Sequence, residues 1–84
     1  MSRLPTTIEI EQGHRRQIEL GLCKRDFELM SEHHSELLDH IEAAIRDGVM
    51  PFQIKRWATS TVDESALVQR VFNAARYCLH LAEV

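Results

Sequence analysis

Residues 26–48 read DFELMSEHHSELLDHIEAAIRDG, and their pattern decides the fold class. Apolar side chains recur at Phe27, Met30, Leu37, Leu38, Ile41, Ala44 and Ile45, the three- and four-residue steps that line one side of an α-helix. Asp26 is a candidate N-cap, because its carboxylate can accept from unpaired amides of a first turn. Gly48 suits the left-handed position just past a last turn. The spacing therefore predicts one continuous helix from Asp26 to Gly48. At about 100° per residue, His34 falls inside the apolar stripe, His33 and His40 on its border, and Glu28, Glu32, Glu36 and Asp39 on the far side.

Upstream of this helix, Thr6 to Cys23 carries two patterns. Ile8/Ile10 and Ile18/Leu20/Leu22 alternate as in two strands, with Gln12-Gly13 as the bend. Against that hairpin, Thr6 with Glu9 makes a capping box, Glu11, Arg15 and Glu19 keep four-residue spacing, and His14, Ile18 and Leu22 share a helical side. Helix is the favoured reading, ending at Gly21, with Leu22 to Arg25 turning the chain. Residues 1–5 read as a loose leader.

Downstream, Val49-Met50-Pro51 reopens a helix, since proline at the first helical position lacks only an amide that would be unpaired anyway. Ile54, Trp57 and Ala58 share a side that can pack inward, which makes Trp57 structural, while Phe52 projects between Lys55 and Arg56. Thr61 and Glu64 form a second capping-box pattern. The helix they open has a buried side of Leu67, Val68, Val71, Phe72, Ala75, Cys78, Leu79 and Ala82, with Gln69, Asn73, Arg76, Tyr77 and His80 outward. Two long helices and one or two short ones predict an all-α fold, a small antiparallel helical bundle of three to four helices in one domain, residues 1–84. The alternative is α+β, with an N-terminal β-hairpin at residues 6–23.

The chain has 84 residues and a formal charge of −3, with Arg46 the only arginine or lysine beside seven acids in the 26–48 segment. That balance argues against a general nucleic-acid coat. No apolar run is long enough for a signal peptide or a membrane span, so the expectation is a cytoplasmic protein with no membrane partner. Cys23 and Cys78 have no CxxC or histidine-spaced partner, which indicates neither a disulfide framework nor a zinc module. Cys78 reads as core, and Cys23 as a turn residue beside Lys24-Arg25.

His33, Glu36 and His40 lie near one another on a helical projection, but helical two-metal sites draw Glu-x-x-His pairs from several helices, a pattern this sequence lacks. His34 reads as a core histidine or as a contact to a partner or a second copy. No nucleophile–base–acid set and no glycine-rich phosphate loop is discernible, so the reading is not an enzyme, with no cofactor and no metal.

The best functional reading is a small protein-binding module, a regulator, adaptor or inhibitor that acts on a larger protein by steric occlusion or scaffolding. A homodimer is compatible with it. The contact candidates are Phe52, Lys55, Arg56, Arg76 and Tyr77, because aromatic and arginine side chains dominate interface energetics. The alternative is a DNA-binding transcriptional regulator with a helix-turn-helix-like segment at residues 51–72, supported by its spacing and by Lys55, Arg56, Arg70 and Arg76. Asp63 and Glu64 oppose that alternative, since they stand where a recognition helix would meet phosphates.

Overall fold

The structure, a computed structural model, describes the backbone of residues 7–83 and the side chains of residues 16–83. Four helices follow in order: α1 Thr7–His33, α2 Ser35–Arg46, α3 Pro51–Thr61 and α4 Ser65–Glu83. Among the described residues there is no strand, and the helices pack against one another as a small all-α bundle. The hairpin alternative is thereby overturned, because the backbone is helical from Thr7 onward. The loose leader at 1–5 and the Thr6–Glu9 capping box lie outside the described residues.

Helix α1 differs from expectation at three places. Gly21 does not end it, Leu22 to Arg25 do not turn, and Asp26 is no N-cap but sits mid-helix. The reason lies in what the continuous helix buries. Cys23 and Met30, seven residues apart on one helical face, both reach the core because the helix runs on through Leu22 to Arg25. Cys23, expected in an exposed turn, is therefore buried.

The predicted helix from Asp26 to Gly48 breaks at His34, whose backbone leaves helical geometry at φ −140° and ψ 50°. From Met30 the next apolar residue is Leu37, and a straight helix would carry the imidazole of His34 into the core between them. Burying it without a partner costs free energy, and the bend removes that burden by leaving His34 exposed. Hydrogen bonding survives the bend: the His34 amide donates to Met30 O at 2.8 Å, and Leu38 donates to His34 O at 2.9 Å. The core reading of His34 is thus corrected. The apolar stripe itself persists on both sides of the bend, with Met30, Leu38, Ile41 and Ile45 buried and Phe27, Leu37 and Ala44 packed beside them.

Helix α2 ends as its sequence predicts. Gly48 takes φ 91°, its amide donates to Ile45 O at 3.1 Å, and Val49 donates to Ala44 O at 3.0 Å. This paired closure satisfies orphan carbonyls and turns Val49 back against the core. Pro51 then opens α3, and Gln53 Oε1 accepts from the Met50 amide at 2.9 Å. Thr61, expected to cap the last helix, instead closes α3, and α4 begins at Ser65.

Helix α4 is the hub, packing against all three others. It runs antiparallel to α1, since Glu19 meets Arg76 at 3.1 Å while Asp26 meets Asn73 at 2.8 Å and Arg70 at 3.7 Å. Its buried side holds Val68, Val71, Ala74, Ala75 and Cys78. Relative to expectation that side is rotated toward Ala74, and Ala82 is exposed. No helix among the described residues is long and apolar enough to cross a membrane.

Candidate protein-binding face

The core is built without α3's outer side. Ile54 and Ala58, four residues apart, are buried with Pro51, which directs Phe52, Gln53, Arg56 and Trp57 away from the bundle. Phe52 is 61% exposed, Trp57 47% and Met50, just ahead of the helix, 50%. Three large apolar side chains therefore face solvent within eight residues. The side-chain oxygens of Thr59 and Ser60 stay local, donating to Lys55 O at 2.8 Å and to Trp57 O at 2.9 Å.

Cations accompany these aromatics. The Arg56 guanidinium lies 5.3 Å from the Phe52 ring centre. Lys55 Nζ lies 4.8 Å from the ring of Phe72 on α4, and the Arg76 guanidinium 5.5 Å from the same ring. Such contacts orient a cation over an aromatic face while leaving its donors open to a second group. From Gly48 to Val62 the sequence carries Lys55 and Arg56 and no carboxylate. The local charge is opposite in sign to that of the whole chain.

The five sequence-derived contact candidates divide into two groups. Phe52, Lys55 and Arg56 form one continuous surface on α3. Arg76 joins it through Phe72 but is also held by Glu19. Tyr77, expected to be exposed, is half-buried with its ring 5.2 Å from Phe27, so it helps to seat α4 on α1.

Trp57, expected to be structural, is the residue that the sequence reading placed wrongly. A helical projection locates it near Ile54, but only packing shows that a groove lies between it and α2 and leaves nearly half its surface open. Between α2 and α3 lies an apolar groove of about 310 Å³ lined by His40, Ile41, Ala44, Val49, Ile54 and Trp57, with Gln53 at its edge. The signal available in the sequence was the concentration of Met50, Phe52 and Trp57 in one short helix.

Other candidate chemistry disperses. His33 ends α1 while Glu36 and His40 belong to α2, and among the described residues no three histidine, cysteine, aspartate or glutamate side chains converge on a metal-sized site. Burial pushes the Cys78 thiol up to about 11, with nearby Glu42 adding to the effect. Burial likewise raises Cys23, against the opposing pull of Arg76. Both thiols stay protonated near neutrality, which withholds the thiolate that nucleophilic or metal chemistry needs.

The helix-turn-helix segment has α3 and α4 joined through Val62-Asp63-Glu64. Asp63 and Glu64 are exposed at the opening of α4. Of the four bases that could meet DNA, Lys55, Arg56, Arg70 and Arg76, the last two face Asp26 and Glu19. Comparison of the chain with protein-family models, curated proteins and solved structures yields no match.

Proposed function

We propose that this chain is a protein-binding module that regulates, adapts or inhibits a larger protein by occluding or scaffolding one of its surfaces. The observation that carries this reading is the outer face of α3, where Phe52, Arg56 and Trp57 stand exposed together although the core is complete without them. Aromatic and arginine side chains concentrate interface energy because each buries a large area while retaining polar contacts. Phe52, Lys55, Arg56 and Trp57 are the contact residues, and Arg76 lies at the margin. Steric action is the mechanism, consistent with two cysteines held as neutral thiols.

The test is affinity capture from lysate of the source cell after nuclease treatment, with the wild-type chain and a Phe52→Ala/Trp57→Ala double variant as baits. The wild type should retain a stoichiometric protein and the double variant should lose it. The variant's melting temperature should stay within a few degrees of wild type, because neither side chain supports the core. A partner retained equally by both baits, or nucleic acid as the only retained species, sinks the proposal.

A further inference from the structure

We infer that the groove between α2 and α3 receives an amphipathic helix from the partner, one with an acidic edge and a basic edge on either side of its apolar stripe. This rests on the reading of α3 as the contact face and specifies its occupant. The groove's volume of about 310 Å³ is at the small end of sites that enclose a ligand and suits one or two large apolar side chains inserted beside Trp57. Its walls differ in sign. On the α3 side Arg56 stands exposed next to Trp57, with no carboxylate from Gly48 to Val62, while Lys55 lies away from the groove, over Phe72 of α4. On the α2 side, Glu36 lies one helical turn before His40 and Asp47 lies three residues after Ala44, so both acids flank the wall to which His40 and Ala44 belong.

This two-signed rim selects the occupant and its orientation. A helix laid along the groove meets opposite charge on both edges only if its carboxylates face α3 and its bases face α2. A phosphodiester backbone has a single sign and would be repelled by Glu36 and Asp47, and again by Asp63 and Glu64 beyond the end of α3. Nucleic acid is therefore the disfavoured occupant. The amide end of Gln53 is pre-oriented, because its oxygen is engaged by the Met50 amide and its nitrogen is left to meet an acceptor at the groove's edge.

The experiment is selection of binders from a displayed library of amphipathic helices without tryptophan, with edge positions varied among Glu, Gln and Lys. Enriched helices should carry large apolar residues at three- and four-residue spacing, Glu along one edge and Lys along the other. Trp57, the chain's single tryptophan, should shift its emission to shorter wavelength as the helix covers it. Arg56→Glu should weaken binding by about tenfold or more, Arg56→Gln by less, and exchanging the helix's Glu edge for Lys should restore affinity to Arg56→Glu.

Each contrary result bears on a separate claim. Binders that need Trp57 but show no charge preference, or that ignore Arg56→Glu, overturn the two-edged helix and leave the contact face standing. Binders indifferent to both Phe52→Ala and Trp57→Ala overturn the contact face as well. Failure to enrich any binder overturns the helical occupant. Saturable binding of oligothymidylate at physiological salt, abolished by Phe52→Ala/Trp57→Ala, would assign the face to nucleic acid.

Discussion

Two glycines on this chain make opposite demands. Gly48 holds φ 91°, a conformation that costs an L side chain about 1–2 kcal/mol, so Gly48→Ala should destabilise by roughly that amount. Gly21 sits inside α1, exposed, and a methyl group added there would meet nothing within 4 Å. Its only effect on the fold is the helix-weakening freedom of its backbone, so Gly21→Ala should stabilise by about 1 kcal/mol. Urea titrations of both variants check the pair, which should move to opposite sides of wild type. Stabilisation by both would show that the turn after α2 does not need its left-handed residue.

At the scale of the helices, the packing of α1 on α4 is fixed by two polar contacts of unequal worth. Asp26 accepts from Asn73 at 2.8 Å and faces Arg70, with its side chain only 13% exposed. Glu19 pairs with Arg76 at 3.1 Å, but its side chain is 58% exposed. Water screens an exposed pair to well under about 1 kcal/mol, whereas removing a part-buried, charge-assisted acceptor strands its donor and costs about 1–3 kcal/mol. Asp26→Ala should therefore destabilise several times more than Glu19→Ala, as measured by thermal melts at low and high salt. Equal losses would mean that α1 is held in register by its apolar stripe alone. The bend at His34 and the closure at Gly48 then set where α2 presents its side of the groove, so the candidate site depends on these junctions as well as on α3.

The whole molecule is elongated, with a radius of gyration of 14.9 Å against about 12 Å for a compact chain of this length. Its core is correspondingly modest, and Cys78 sits within it at the meeting of α4 with α1 and α2. Because burial raises that thiol from its ordinary 9.0 to about 11, the folded state binds the thiol proton more tightly than the unfolded state does. This contribution is intact below pH 9 and is lost as pH rises from 9 toward 11, at up to about 1.4 kcal/mol per pH unit. The melting temperature should fall across that window, and a Cys78→Ala variant should fall less steeply. Parallel curves would remove Cys78 as the cause.

Much of this architecture is local and therefore legible along the chain. Periodic apolar residues identify the faces of α2 and α4, while Gly48 and Pro51 end and restart helices through their own backbone chemistry, whatever surrounds them. The exposure of Phe52 follows from its place between Lys55 and Arg56. What tertiary structure alone decided is non-local. Leu22 to Arg25 stay helical instead of turning, which carries Cys23 and Met30 to the core on one face. The helix bends at His34 because the core has no partner for an imidazole, and Asp26 serves α4 instead of capping its own helix because Asn73 and Arg70 arrive from across the bundle. Trp57 remains open because a groove is left between it and α2. Each of these outcomes depends on which surface another helix covers, and that is settled when the helices pack.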